Sequence, residues 1–517
     1  MMIEKSFARS WAILLIQLQV IACQCIAQDI DSPDAWPEFR RWVENYLADP
    51  RFQRAVWGVK ITSLETGNTV FSHHEQKLLS PASNSKLYTV ALVLDAFGPD
   101  YRIKTSLYAK AKPFRSGVLP GDLVVFGRGD PTFNAKLHGG DILSAFEPLV
   151  FALTNAGVKR VKGDLVADET FFRGSHFGSG WSWDDAQHAF GAEISALTAN
   201  DNILELAVKP GAKTGEKVVP CEISISPPTS CLVISNRTVT VAAGGSRQIF
   251  VHRPEGGNVV YISGQMLVGE PVYREEVTVH APAGLFLDLF RQALFRHGIR
   301  IDGKLRVIPG GAGLASPMET NKTLELAAVE SPTLAEISRL VQKSSQNLYA
   351  DLLFAHIGEV NGRNRATGFE SSEDLGVKEL RPFLSKAGID RQDVFFEEGS
   401  GLSRNNLTTA RATVALLVYA SHQSWSNVFF EALPLAGVDG TLRNRLKAAP
   451  AARNVRAKTG SLRWAHSLSG TVTTGAGEKL AFCLMLNRFS PEPGEPGPDQ
   501  ELDAIASRLA AVSTRTR

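Results

Sequence analysis

Apolar positions along the chain fall into two periodicities that outline its elements. Phe39, Trp42, Val43, Tyr46 and Leu47 recur at helical intervals, so a helix is expected there. Residues 56–64 and 69–71 are strand-like runs separated by Glu65-Thr66-Gly67-Asn68, whose Gly and Asn suit a tight turn and predict a hairpin. Leu87, Val90, Ala91 and Leu94 share one face of a second helix, with Ser83 and Lys86 at its start. Helical patterning returns beyond residue 321, through Leu334, Ile337 and Val341, and again after Thr408-Thr409. Residues from Ala457 onward and the run 479–487 are apolar enough for central strands, and a C-terminal helix is expected to close the chain.

The middle of the chain reads as a degenerate duplication. The apolar run 121–126, a helical stretch over 142–156, Gly157-Val158 and then 163–166 recur in outline as 257–262, 284–297, Gly298-Ile299 and 303–307. The two halves predict one α/β domain, and residues 195–253 between them, short-stranded and rich in Thr, Val, Pro and Gly, predict a small β domain. The chain is therefore expected to hold one α/β domain over 29–100 and 321–517, split by an accessory α/β domain over 101–194 and 254–320. The small insert over 195–253 interrupts that accessory domain in turn. A length of 517 residues suits this count.

Composition narrows the function classes. Lysine and arginine number 55 against 53 acids, interspersed rather than blocked, so no nucleic-acid partner is expected. The first 28 residues read as a signal peptide: Lys5 and Arg9, a short apolar run from Trp11 to Ile16 broken by Gln17 and Gln19, then small residues at Ala22 and Ala27. This implies export to the periplasm or cell envelope. Val20-Ile21-Ala22-Cys23 also resembles a lipoprotein processing site; a lipid on Cys23, with loose membrane association, stays open as the alternative. Cys221 and Cys231 are near enough in sequence for a disulfide in an oxidising compartment, whereas Cys483 lies in an apolar run and reads as a buried thiol. No zinc-ligand spacing appears, and neither metal nor cofactor is expected.

Three polar motifs carry the chemistry. In Ser83-Asn84-Ser85-Lys86 a hydroxyl and an amine stand three residues apart, which on a helix brings their β-carbons to about 5–6 Å. Serine needs an adjacent base, and a desolvated lysine can serve. Alone this pattern is better read as a capping serine followed by a solvated lysine. Ser345-Gln346-Asn347, at a break between helical patterns, and Lys458-Thr459-Gly460-Ser461, opening an apolar strand, complete the ordered set of penicillin-recognising enzymes.

With these motifs, and with Gly129-Asp130-Pro131-Thr132, Trp181-Ser182-Trp183-Asp184-Asp185, Gly399-Ser400-Gly401-Leu402-Ser403-Arg404 and the stretch 433–440, the chain resembles the low-molecular-mass class C penicillin-binding proteins, the D-alanyl-D-alanine carboxypeptidase/endopeptidase family. The resemblance implies an α/β (α+β) fold in which a serine β-lactamase/transpeptidase-like catalytic domain is split by the accessory domains. The long interval between Ser83 and Ser345 agrees, since compact β-lactamases lack such insertions. Peptidoglycan stem peptides and β-lactam antibiotics are the implied partners; the oligomeric state is not implied. Acyl transfer then assigns Lys86 as base to Ser83, the backbone N–H groups of Ser83 and Ser461 as oxyanion donors, and Ser345 as proton relay between Lys86 and Lys458. Asn347 would position Lys86 or the substrate backbone, and Lys458, Thr459, Gly460 and Ser461 would hold the terminal carboxylate. By the same resemblance, Asp185 and Phe190 reach the side-chain amine of diaminopimelate; an ordinary surface acid beside core aromatics is the competing reading.

Several look-alikes are set aside. Lys213-Thr214-Gly215 reads as a surface turn, Ser85 has no lysine three residues after it, Gly399-Ser400-Gly401 lacks a hydrolase elbow frame, and His466 reads as structural. A serine β-lactamase or esterase built on the same motifs would release bound penicillin quickly, whereas a peptidase would release it slowly. A non-catalytic peptidoglycan scaffold would have no need of all three motifs.

Overall fold

The computed structural model describes residues 34–212, 219–311 and 323–516. The expected signal peptide, Cys23 and Lys213-Thr214-Gly215 lie outside the described residues. The central feature is a five-stranded antiparallel sheet in the order Arg456–Leu462, Ala465–Thr473, Lys479–Asn487, Val56–Ser63, Thr69–His73. The predicted hairpin is present, and its first strand pairs with Lys479–Asn487 from the far end of the sequence. Side chains alternate across a strand, and both faces here are covered. Leu480, Phe482, Leu484 and Leu486 join the core formed with the helices Ala35–Leu47 and Pro498–Ala510. Ala481, Cys483 and Met485 face the opposite core, which contains the helices Ser85–Phe97, Leu334–Ser344, Asn347–Ile357 and Ala410–Ser421. This double burial explains why 479–487 reads as an unbroken apolar run. The strand Arg456–Leu462, expected to be central, is instead at the edge of the sheet, its second side facing the turn that carries Ser83.

The chain leaves this unit after Phe97 and re-enters near Ser331, where Ser331 N–H donates to Ile103 O at 2.9 Å and Leu334 N–H to Tyr101 O at 2.8 Å. Between these crossings a second five-stranded sheet runs Leu305–Ile308, Leu165–Asp168, Leu123–Phe126, Lys104–Ala109, Leu324–Glu330, parallel across its first three strands and antiparallel beyond. Leu324–Glu330, expected with the Ser345 segment, belongs to this second sheet through its pairing with Lys104–Ala109.

The duplication holds in part. Arg300–Ile301 pairs in parallel with Arg160–Val161, and Leu305–Ile308 with Leu165–Asp168, as repeated halves should. The strand Val259–Leu267 does not repeat Leu123–Phe126; it is the middle of a small sheet between Val233–Val241 and Gln248–His252. Its burial gives the physical reason: Val260, Ile262 and Met266 are buried while Val259 and Tyr261 are exposed, the alternation of a half-solvated sheet, whereas Leu123, Val125 and Phe126 are all buried. A further antiparallel sheet, Tyr273–Thr278, Ile203–Lys209, Glu222–Ser226, keeps the chain in the inserted β portion well past residue 253.

Cys483 is fully buried, its thiol pushed up to about 12 by that burial. Cys221 and Cys231 are separate thiols, the former 3.6 Å from Thr240 Oγ1. No helix among the described residues is long and apolar enough to cross a membrane.

Candidate active site

Ser83 lies in a short 3-10 turn, Ala82–Asn84, that runs directly into the helix Ser85–Phe97. Ala82 has φ 48°, left-handed backbone that costs an L-residue about 1–2 kcal/mol. The turn is fixed from the sheet side. Ser467 Oγ donates to Pro81 O at 2.7 Å, and Asn84 Nδ2 donates to Ser469 Oγ at 2.7 Å. Gly401 packs so near that a β-carbon there would stand 2.0 Å from Ala82 O, and Gly401 itself has φ 84°, so only glycine fits.

Lys86, on the first helical turn, is completely buried, and its Nζ donates to Ser83 Oγ at 2.9 Å, Asn347 Oδ1 at 2.6 Å and Ser400 O at 2.6 Å. Burial lowers its pKa to about 8 even though Asp351 and Glu398 pull the other way. Near pH 7 roughly a tenth of such an amine is neutral, enough to accept a proton from the serine it touches.

Ser345 and Asn347 come from the junction of two helices. The helix Leu334–Ser344 opens on a Thr333/Glu336 capping box and ends on Ser345, whose left-handed φ of 58° reverses the chain into the helix Asn347–Ile357. The reversal is braced by Lys343, whose Nζ donates to Leu433 O at 2.6 Å and lies 2.7 Å from Asp439 Oδ2. Gly440 packs against Lys343 O, where a β-carbon would stand at 2.5 Å. Thus the 433–440 stretch supports the Ser345 turn.

Lys458 completes the site from the edge strand. Fully buried, it donates to Ser345 Oγ at 2.7 Å, and desolvation followed by the nearby Lys86 charge holds its pKa well below the usual lysine value. Gly460 lets the strand approach Ser83: a β-carbon there would be 2.5 Å from Pro81 O and 3.1 Å from Ser83 N. Thr459 Oγ1 donates to Thr441 Oγ1 at 2.8 Å, and Ser461 is exposed to the cleft with its Oγ 3.2 Å from His466 Nδ1. His466 therefore lines the cleft through Ser461 and has no bond to Ser83.

All ten residues singled out from the sequence are brought to one region. A cleft of about 650 Å³ is lined by Ser83, Ser345, Asn347 and Ser461 on one side and by Asp185 and Phe190 on the other. Asp185, 8% exposed, accepts Ser182 N–H at 3.1 Å; burial raises its pKa while the Arg404 guanidinium opposes the rise. Phe190 is half exposed, stacks on His188 and accepts Asn347 Nδ2 on its carbonyl at 2.9 Å, which ties the accessory segment to the second motif. Of the look-alikes, Ser85 is buried and receives Asn406 Nδ2, and Ser400 meets Lys86 through its carbonyl. Sequence reasoning missed Arg404 and Trp464 on the rim, although Arg404 sits in a quoted motif, and it missed Asp351 and Glu398 beneath Lys86. Asp351 was findable: it stands four residues after Asn347 on the same helical face.

The sequence is 33% identical over 484 residues to a D-alanyl-D-alanine carboxypeptidase of Actinomadura sp., covering 92% of this chain and 84% of that one. It is 26% identical to D-alanyl-D-alanine carboxypeptidase DacB of Haemophilus influenzae, over 83% of this chain and 84% of the relative. The crystal structure of penicillin binding protein 4 (dacB) from Haemophilus influenzae superposes with a TM-score of 0.74 at 24% identity, covering 90% of this chain and 97% of that one, which shows the shared fold. Because the family profile itself matches residues 39–510, nearly the whole described chain, this protein belongs to the D-Ala-D-Ala carboxypeptidase 3 (S13) family.

Proposed function

We propose that this chain is an exported serine-type D-Ala-D-Ala carboxypeptidase of peptidoglycan stem peptides that works through an acyl-enzyme on Ser83. The observation that carries the reading is the 2.9 Å contact between a fully buried, partly neutral Lys86 and Ser83 Oγ at the floor of the cleft. Lys86 takes the Ser83 proton as Oγ attacks the penultimate D-Ala carbonyl, and the carbonyl oxygen becomes an oxyanion against the N–H groups of Ser83 and Ser461. Ser345, held by Lys458, gives its hydroxyl proton to the leaving D-Ala nitrogen and is reprotonated by the proton Lys86 took from Ser83, and water then releases the acyl group and restores the Ser83 hydroxyl. The leaving carboxylate is held by Lys458, Thr459 and Ser461, with Gly460 giving the strand its close approach.

Endopeptidase action is the same chemistry with a cross-bridge amine as leaving group, and the open cleft is compatible with it. Asp185 and Phe190, with Arg404 nearby, are proposed to bind the stem-peptide diamino side chain. A solved Haemophilus influenzae neighbour holds a β-lactam, and a β-lactam is expected to acylate Ser83 here and stall. The proposed division is a catalytic domain over about 34–100 and 331–516, an accessory α/β portion, and a β insert reaching to about residue 278. Ser83→Ala tests the core reading. Covalent labelling by a fluorescent penicillin should vanish with the circular dichroism spectrum unchanged; labelling at the wild-type rate would remove Ser83 from the mechanism.

A further inference from the structure

Beneath the Lys86 amine lies a pair of wholly buried acids that the acyl-transfer steps leave without a task. Asp351, one turn after Asn347, and Glu398, just before Gly399-Ser400-Gly401, each have no exposed surface; Asp351 Oδ1 accepts the N–H of Gly399, the residue next to Glu398, at 3.0 Å, and burial followed by the Glu398 carboxyl raises the Asp351 pKa well above its usual range. Two neighbouring carboxyl groups in a dry interior do not both ionise readily, so the pair retains a proton.

Hydrogen-bond accounting says where it resides. Glu398 Oε1 accepts from Gly401 N–H at 2.7 Å, Asn406 Nδ2 at 2.8 Å and Ser403 N–H at 3.3 Å. Its Oε2 accepts from Ser400 N–H at 2.8 Å and from the Ser400 hydroxyl. Five donors converging on two oxygens is the surrounding of an ionised carboxylate. Asp351 differs: Oδ1 accepts one N–H, from Gly399 at 3.0 Å, and Oδ2 meets no donor. An oxygen without a donor beside an oxygen-rich acceptor is where an acid O–H belongs.

We propose that Asp351 carries the shared proton on Oδ2 and donates it to Glu398, and that the single negative charge left on Glu398 sets how much of Lys86 is neutral. The inference rests on reading Lys86 as the base. Glu398 is a positioning residue: it grips the 400–403 turn and so holds the Ser400 carbonyl 2.6 Å from Lys86 Nζ. One negative charge suits the task. With none, burial would strip the lysine of its proton altogether; with two, it would stay charged and could not accept the serine proton. The other charged groups facing the cluster are Lys458 from the sheet and Glu373 from the helix Ser372–Lys386. The Glu373 carboxyl is raised well above its usual range by burial and then by Glu398, and Glu397 lies outward against Ser179 and Asn405.

The test is the pH profile of the acylation rate constant with a chromogenic cephalosporin. Wild type should show an acid limb belonging to Lys86. Glu398→Gln removes the negative neighbour, favours neutral lysine and should move that limb to lower pH by about one to three units, whatever happens to the plateau. Asp351→Asn supplies an N–H in place of the O–H and should leave the limb's position where it is. An unmoved limb in Glu398→Gln, or an equal displacement in Asp351→Asn, overturns the proposal. A wild-type profile with no acid limb instead overturns the base reading of Lys86, and the proposal with it. Should Glu398→Gln not fold, the infrared spectrum at neutral pH decides: Asp351→Asn should lose one protonated-carboxyl stretch, and an unchanged spectrum overturns the assignment.

Discussion

Asp185→Asn separates recognition of the substrate side chain from the acyl-transfer chemistry. The substitution keeps shape and an oxygen for the Ser182 N–H at 3.1 Å, so the local turn should persist. It removes one negative charge from a residue only 8% exposed yet open to the cleft. An ammonium about 4 Å from that carboxylate gains about 4 kcal/mol at an effective dielectric of 20 and about 1 kcal/mol in water. Arg404 already offsets part of the charge, and the incoming amine must itself lose hydration. The net expected coupling is therefore about 1–2 kcal/mol, a five- to thirtyfold loss in kcat/KM for a stem peptide with a free side-chain amine. An N-acetylated peptide and a simple penicillin should be scarcely affected, and the two proteins and two peptides close a double-mutant cycle that measures the coupling directly. The same pair carries a pH signature. Burial raises the Asp185 pKa, so its carboxylate, and preference for the amine, should fade on acidification before an ordinary aspartate would protonate. Equal losses on free and acetylated peptides would refute the amine pocket and leave Asp185 with a structural role.

Gly460→Ala places a methyl group 2.2 Å from Ser467 Oγ and 2.5 Å from Pro81 O, so the edge strand must move off Ser83. Acylation should fall about a hundredfold or more, while Gly121→Ala, which meets nothing within 4 Å, serves as the silent control for stability and rate. Lys458→Ala should slow penicillin acylation by roughly a hundred- to several thousandfold in stopped-flow assays, since it strips Ser345 of its 2.7 Å donor and the cleft of a buried amine. His356 is fully buried between Tyr101 and the Arg128 carbonyl, its pKa lowered to about 4 by that burial. A histidine harder to protonate in the fold than in the unfolded chain contributes stability that is lost as pH falls from 6.5 toward 4, about 3 kcal/mol in all; urea midpoints should show this slope, and His356→Gln should flatten it.

Local order was legible wherever periodicity decided it. The opening helix, the hairpin, the Ser85–Phe97 helix and the break at Ser345 each follow from spacing that one face of a helix or a tight turn imposes. The errors came where one pattern serves two settings. Arg456–Leu462 carries only Ala457 and Leu462 as apolar residues, and its burial comes from the Ser83 turn that packs along its edge rather than from another strand. Residues 257–262 resemble 121–126 in composition, although the alternation of Val259–Leu267 is that of a half-solvated sheet.

The site itself divides along the same line. Ser83 with Lys86, and Ser345 with Asn347, are local spacings and could be read directly; their convergence with Lys458 is a fact of topology, because the first and last strands of the catalytic portion pair side by side. What no local pattern announces is the electrostatic cost of that convergence. Two lysines with no exposed surface stand near enough that the Lys86 charge lowers the Lys458 pKa, and keeping either charged without compensation would be prohibitive. A sequence reader who accepts that both are buried must therefore look for a buried acid near them. Glu398, ahead of Gly399-Ser400-Gly401, is the acid that answers, with Asp351 on the helical face of Asn347 beside it as its proton-bearing neighbour, and the pair comes into view only when that charge balance is demanded of the fold.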